Sequence, residues 1–219
     1  MKHFFLVSLL IAILSSCATR VEVMDKPIVF DNQRIELTKE YLQQRYNLNQ
    51  DSPDIVPKMI VLHWTAIPSF TKSFGAFRNS MLPNFRPEIQ TASALNVSSH
   101  FLVDQDGKIF RLMPETTMAR HVIGLNHCAI GIENVGGTKE TPLTRKQVKA
   151  NIWLVNYLAS KYDIEYLIGH YEYTNFEGHP LWLEVDEGYR TEKTDPGPEF
   201  MRKVRKATKA FNFKPVPTK

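Results

Sequence analysis

Two histidines each stand directly after an apolar segment of this chain, a position that could serve a metal ion. His63 follows residues 60–62, His170 follows residues 167–169, and a carboxylate, Asp195, comes later in the chain. Side chains at the strand ends of an open sheet are held by rigid backbone and can be reached by solvent. Two imidazoles and one carboxylate form a three-ligand zinc site that leaves a fourth position open for water.

The spacing of these three residues does not by itself establish a metal site. A histidine at the end of a strand is more often structural than metal-bound, and the intervals follow no short metal-binding motif. Zinc with an open position would lower the pKa of its water to about 7 and polarise a carbonyl. On the pattern alone, a structural role and a hydrolytic metal site both remain open.

The segments that must position these residues alternate between strands and helices. Apolar runs and the turn residues Asp104–Gly107 predict strands at 58–62, 98–103, 108–113, 129–134 and 166–169. Helices are predicted at 39–46 after Thr38, at 70–77, from the cap Thr144 onwards and from about Pro198. Residues 79–96 have little periodicity and are predicted as a surface loop. We therefore expect a single α/β domain with a central mixed sheet flanked by helices.

Five short blocks occur in an order that is characteristic of one enzyme family: Val61–Thr65, Ser99–Gly107, Ile130–Glu133, Gly169–His170 and Lys193–Pro198. Each block is common alone, whereas the five in order are specific. Together they resemble the zinc N-acetylmuramoyl-L-alanine amidases of the type-2 family, over about residues 57–201. The resemblance implies the fold shared with peptidoglycan recognition proteins. It also implies zinc-dependent hydrolysis of the amide bond between N-acetylmuramic acid and L-alanine, in wall remodelling or recycling.

The resemblance also implies roles for individual residues. His63, His170 and Asp195 match the zinc ligands, Glu133 matches the catalytic acid, and Lys193 matches the residue that stabilises the oxyanion. This chemistry suits an amide, because a carboxylate can move the proton of water to the leaving amine and a cation can stabilise the tetrahedral intermediate. The alternatives are a solvated carboxylate for Glu133 and a plain surface charge for Lys193.

Other residues near the blocks are expected to contact substrate or to pack. His121 falls in a segment that resembles the family's substrate groove, and His100 and Trp64 are further expected contacts. For His100 a place in the core is an equal alternative. Cys128 precedes a predicted strand, where a small buried residue is a better interpretation than a nucleophile.

The segment 171–192 is longer than the loop that compact relatives carry between the second histidine and the third ligand. It contains six aromatic or imidazole side chains: Tyr171, Tyr173, Phe176, His179, Trp182 and Tyr189. Such side chains suit stacking on sugar rings, because they supply apolar area at low entropy cost. A small satellite core is the alternative, and His179 is not expected to bind metal.

The N-terminus predicts export and lipid attachment. Lys2 and His3 precede an apolar stretch, 4–14, which is too short to span a bilayer as a mature helix. It ends in Leu-Ser-Ser-Cys, which resembles a lipobox with Cys17 as the lipidated residue. We predict a signal peptide at 1–16, a tether at 17–32, the amidase domain at 33–213 and a tail at 214–219. The expected location is the cell envelope, lipid-anchored in the outer membrane and facing the periplasm.

Composition limits the partners. The 219 residues carry a formal net charge of +4, which is too small to identify a polyanionic ligand. The one dense basic run, 202–206, is interpreted as a solvated helix face, and nucleic acid is not an expected partner. Peptidoglycan or muropeptides are the expected substrate, the membrane is a partner through the lipid, and the protein is expected to be a monomer. Two rival functions remain: a recognition module that binds muropeptides without cutting, and a peptidase that acts elsewhere on the stem.

Overall fold

The computed structural model describes residues 21–84 and 87–218. The strands in this part of the chain are β1 (Val23–Asp25), β2 (Met59–Trp64), β3 (Phe101–Val103), β4 (Ile109–Arg111), β5 (Ala129–Asn134) and β6 (Tyr166–Gly169). The helices are α1 (Asn32–Tyr46), α2 (Phe70–Arg78), α3 (Pro87–Gln90), α4 (Arg145–Lys161) and α5 (Pro198–Ala207). The predicted signal peptide and Cys17 lie outside the described residues. No helix within those residues combines the length and apolar character needed to cross a bilayer.

The six strands form one mixed sheet in the order β1-β4-β3-β5-β2-β6. The predicted hairpin of β3 and β4 is antiparallel, and the neighbours β3, β5, β2 and β6 run parallel to one another. This arrangement confirms the predicted α/β class. Because parallel strands end at the same edge, the residues that follow β2, β5 and β6 meet at one side of the sheet.

The central strands are buried on both faces, which explains why their sequences are continuously apolar. Ile60 and Leu62 of β2 face a core shared with α4 and α5, whereas Met59 and Val61 face the opposite core. Alternation therefore places His63 on the second face, away from α4 and α5. The predicted cap of α4 is confirmed, because Thr144 and Gln147 exchange the two hydrogen bonds of a capping box.

The N-terminal part of the chain departs from the predicted boundaries. Helix α1 begins at Asn32, because the side chain of Asp31 accepts a hydrogen bond from Arg34 N and caps the helix seven residues earlier than expected. The prediction of a tether at 17–32 is wrong at Val23–Asp25, because these residues form β1, which pairs with β4 and extends the sheet. The predicted loop at 79–96 contains the short helix α3 and a bridge between Met81 and Leu95.

The long segment 171–192 packs as part of the domain. It starts as a 3₁₀ turn, and the side chains of Tyr173 and Phe176 are fully buried against β2 and β6. The ring of Trp182 lies on Gly124, where an added Cβ would come within 2.6 Å of a ring atom. These contacts favour the satellite-core interpretation for most of the aromatic residues.

One buried ion pair ties this segment to α1. Arg45 Nη2 lies 2.6 Å from Glu184 Oε1, and the Glu184 side chain is completely shielded from solvent. Arg45 also lies 3.3 Å from Asp186 Oδ2 and stacks over the ring of Tyr189. Since a buried charge without a partner is costly, this pair makes the position of the segment dependent on α1.

We expect Arg45→Ala to lower the free energy of unfolding by about 3–5 kcal/mol, because it leaves Glu184 buried without its partner. Urea denaturation would measure the loss. The matched control is Lys39→Ala, which removes an exposed pair with Glu36 on the same helix and should cost no more than about 0.5 kcal/mol. Equal effects of the two substitutions would contradict a special role for the buried pair.

Candidate active site

The register of the central strands brings the predicted site residues together. His63 of β2 is the direct partner of Glu133 in β5, and Leu62 is the partner of Gly169 in β6, immediately before His170. His63 and His170 therefore leave neighbouring parallel strands at the same edge. Asp195 lies at this edge as well, and its backbone carbonyl accepts a hydrogen bond from Tyr171 N.

The three predicted metal ligands form a compact triangle of donor atoms. His63 Nδ1 lies 2.9 Å from His170 Nδ1 and 3.2 Å from Asp195 Oδ2, and His170 Nδ1 lies 3.1 Å from the same oxygen. Bonds of 2.0–2.1 Å in tetrahedral geometry require ligand atoms to be about 3.3–3.4 Å apart. The observed separations are close to that value, so these residues fit a zinc ion with little movement.

The protonation of these groups also suits metal binding. Burial, with the neighbouring His63 acting in the same direction, lowers the pKa of His170 to about 4. Burial alone would raise the pKa of Asp195, but the His170 and His63 rings hold it well below its ordinary value. A neutral imidazole and an ionised carboxylate are the forms that bind zinc.

A cavity of about 290 Å³ opens beside the triangle. Glu133, Lys193 and Trp64 line it, together with His170 and Asp195. Glu133 is 9% exposed and Lys193 is half-buried, so both charges lie where solvent screening is reduced. The structure thus brings together five residues that sequence analysis predicted for the catalytic and metal roles, His63, His170, Asp195, Glu133 and Lys193.

Of the three predicted substrate contacts, His121 and Trp64 line the cavity and His100 does not. His100 is completely buried; its Nε2 donates to Thr117 O at 2.8 Å, and its Nδ1 accepts from Gly131 N at 2.9 Å. The expected substrate contact of His100 is therefore wrong, because both ring nitrogens are used inside the core. His121 does line the cavity, but its Nδ1 lies 3.0 Å from His63 Nε2. Cys128 is buried and burial raises the pKa of its thiol to about 12, which agrees with a packing role.

Arg120 and Tyr189 also line the cavity. Tyr189 was among the aromatic residues expected to stack on sugar or to form a satellite core, whereas Arg120 was not predicted as a site residue. Arg120 is buried and donates to the carbonyl oxygens of Ile89, Ser93 and Leu95. Its Nη2 also lies 3.1 Å from the hydroxyl of Tyr189, which brings the end of the long segment to the cavity. Nothing in the sequence around Arg120 indicates that this arginine is buried, so its place in the cavity wall is seen only in the tertiary structure.

Comparisons with known proteins agree with this geometry. Residues 50–198 match a family model, Amidase_2, described as N-acetylmuramoyl-L-alanine amidase. No curated protein sequence matches the chain significantly. Among solved structures, the chain is similar to the N-acetylmuramoyl-L-alanine amidase LysC from Clostridium intestinale URNW, with 23% identity, a TM-score of 0.52, and coverage of 89% of this chain and 100% of that chain.

Two other solved structures have a similar fold. A selenomethionine derivative of AmpD is 23% identical with a TM-score of 0.52, over 85% of this chain and 94% of that chain. The amidase AmiD from E. coli, solved with anhydro-N-acetylmuramic acid-L-Ala-D-γ-Glu-L-Lys, is 22% identical with a TM-score of 0.50, over 74% of this chain and 61% of that chain. At these identities the similarity shows the shared fold.

We expect the purified protein to bind one Zn²⁺, and His170→Ala or Asp195→Ala to weaken binding by more than about 100-fold, since even outer-shell partners contribute 10–100-fold. Competition with a chromophoric chelator would measure the affinity. His179→Ala is the matched control, because this half-buried histidine bonds to Tyr166 and lies outside the triangle. Zinc affinity that is unchanged in both ligand variants would contradict the site.

Proposed function

The chain belongs to the N-acetylmuramoyl-L-alanine amidase family and is an enzyme of that class, and we propose that it uses zinc to hydrolyse the amide bond between N-acetylmuramic acid and L-alanine in peptidoglycan or muropeptides. One observation carries the proposal. Three buried donor atoms of His63, His170 and Asp195 converge at the sheet edge, beside a cavity that also holds Glu133 and Lys193.

The metal has a limited and defined part in this proposal. Bound by His63, His170 and Asp195, zinc would supply a Lewis acid that polarises the amide carbonyl and lowers the pKa of water to about 7. All three ligands are buried, which keeps competing water away from the donor atoms. The side of the triangle that faces the cavity is the side from which substrate can approach.

We assign the proton transfers to Glu133. Its carboxylate accepts the proton of the attacking water as the water oxygen adds to the carbonyl carbon. It then delivers this proton to the nitrogen of L-alanine when the carbon–nitrogen bond breaks. Positioned general acid–base catalysis of this kind contributes about 10²–10⁴-fold to the rate. The assignment is supported by the register of β5 with β2, which puts Glu133 directly beside His63.

We assign the stabilisation of developing negative charge to Lys193. The carbonyl oxygen gains charge when water adds, and a half-buried cation on the cavity wall lowers the energy of that state. Loss of one such group typically costs about 2.7–4 kcal/mol of transition-state stabilisation. The half-buried position of Lys193 on the cavity wall, two residues before Asp195, supports this role.

The remaining wall offers surfaces for the sugar and the peptide. Trp64, the residue after His63, and Tyr189 both line the cavity. Aromatic faces of this kind suit the apolar faces of sugar rings.

A pure recognition module has no need of Glu133 and Lys193 beside three converging donors, so this set of residues favours an amidase over a protein that only binds muropeptides. A peptidase acting elsewhere on the stem uses similar chemistry and is distinguished by its product.

The decisive experiment is to incubate the zinc-loaded protein with purified sacculi and with muropeptides and to identify the products by mass spectrometry. We expect stem peptides that begin with L-alanine, lost on chelation and restored by zinc. Release of shorter peptides would instead indicate a peptidase. Binding to sacculi with no released peptide would move the protein to the recognition class.

In the same assay, we expect Glu133→Gln to lower turnover by about 10²–10⁴-fold while zinc binding remains, because the amide cannot transfer the proton. The matched control is Glu140→Gln, an exposed carboxylate seven residues later that should have no effect. Near-normal turnover in zinc-loaded Glu133→Gln would remove Glu133 from the mechanism.

We also propose that the protein is a lipoprotein, anchored through Cys17 and facing the periplasm from the outer membrane. The support is the apolar stretch 4–14 followed by Leu-Ser-Ser-Cys. Because β1 begins at Val23, five residues would separate the lipidated cysteine from the sheet, so the domain would lie close to the membrane surface.

Cys17→Ser is expected to move the protein from the membrane fraction to the soluble fraction, because the thiol that carries the lipid is gone. Cell fractionation followed by immunodetection would measure the shift. Cys128→Ser removes the buried thiol instead and should stay with the membrane. Membrane association that survives in Cys17→Ser would contradict lipid attachment at this position.

A further inference from the structure

The His121 ring contacts His63 on the side that faces away from the metal donors. His63 Nδ1 points to His170 and Asp195, and His63 Nε2 lies 3.0 Å from His121 Nδ1. The two rings meet edge to face, with centroids 5.0 Å apart and planes at 90°. His121 therefore lies behind a predicted ligand and at the same time forms part of the cavity wall.

With a metal on His63 Nδ1, these contacts would determine where the protons of the two rings lie. A nitrogen that binds a metal must be unprotonated, so a neutral His63 that binds through Nδ1 carries its proton on Nε2. His63 Nε2 then donates to His121 Nδ1, which must be the unprotonated nitrogen of that ring. The proton of His121 consequently lies on Nε2, and this nitrogen donates to Ala129 O at 3.2 Å. The result is one directed chain from His63 through His121 to the backbone of β5.

The backbone around His121 holds its ring in this position. Asn126 Oδ1 accepts hydrogen bonds of 2.8 Å from both His121 N and Val122 N. Asn126 is itself held, because its Nδ2 donates to the hydroxyl of Tyr46 at 2.9 Å. The ring lies flat over Gly131 of β5, where an added Cβ would come within 2.8 Å of it. Strand β5 thus provides both the space for the ring and the acceptor for its Nε2.

We propose that His121 is a positioning residue that fixes the tautomer and the orientation of His63 for zinc binding, an inference that rests on the proposed function. Its two ring nitrogens are both engaged inside the protein, so no ring N–H or lone pair remains for substrate. Outer-shell partners of metal-binding histidines are commonly carboxylates or carbonyls, and their loss costs about 10–100-fold in metal affinity. Here a second imidazole accepts the proton, and the carbonyl of Ala129 holds that imidazole in turn.

Two substitutions separate this role from substrate contact. His121→Leu removes the acceptor, whereas His121→Asn keeps an oxygen, Oδ1, close to the position of Nδ1. We expect the zinc dissociation constant, measured by chelator competition at pH 7, to rise about 10–100-fold in His121→Leu. In His121→Asn it should stay within about threefold of the wild type, because the amide oxygen still accepts from His63. His127→Leu is the control, since that ring packs edge-on against Tyr46 in the same loop.

A readout on the unmodified protein keeps the test independent of variant folding. Long-range ¹H–¹⁵N spectra of the zinc-loaded wild type should show both His63 and His121 protonated on Nε2. A proton on Nδ1 of His121 would overturn the inference. So would wild-type zinc affinity in His121→Leu combined with a raised KM for muropeptide, which would make His121 a substrate contact. A wild-type protein that binds no zinc would instead refute the metal site of the proposed function.

Discussion

The register of β2 between β5 and β6 is the constraint on which the site depends. Parallel pairing sets His63 opposite Glu133, and it brings the end of β6 beside the end of β2, so that His170 follows at the same edge. Because side chains alternate along a strand, all these groups lie on the face that is not covered by α4 and α5. A slip of one residue in either pairing would turn a ligand or the carboxylate towards the other core. The apolar strands thus stabilise the fold and align its chemistry together.

A set of contacts behind His63 restrains this predicted metal ligand. His121 contacts His63, Gly131 leaves room for the His121 ring, and Asn126 fixes the loop that carries it. These residues come from β5 and from the loop before it, so the strand that presents Glu133 also supports His63. Burial lowers the pKa of His170, and the neighbouring imidazole rings lower the pKa of Asp195. A bound zinc ion would give each of the three closely spaced atoms, His63 Nδ1, His170 Nδ1 and Asp195 Oδ2, a ligand bond in place of their contacts with one another.

The additions to the compact core also serve the site. Helix α1 holds the segment 171–192 through the shielded Arg45–Glu184 pair, and this segment in turn presents Tyr189 to Arg120 at the cavity wall. Rupture of a buried ion pair is costly, because removal of one partner leaves the other charge buried without compensation. The long segment is therefore a fixed wall in this arrangement, with most of its aromatic rings used as core.

Sequence predicted the central strands and the capped helix α4, because apolar periodicity and cap residues are local signals, and the resemblance of five ordered blocks selected the five residues that the structure brings together. It did not determine the addition of β1 to the sheet or the enclosure of His100, since each depends on a partner distant in the chain: β1 with β4, and His100 with Thr117 and Gly131. The start of α1 was missed although its cap, Asp31, is a local signal. Sequence analysis also predicted His121 as a substrate contact, but it did not predict that the His121 ring contacts His63. A hydrogen bond between rings 58 residues apart leaves no periodicity in the chain, so only the tertiary structure could show that His121 contacts His63, a predicted metal ligand.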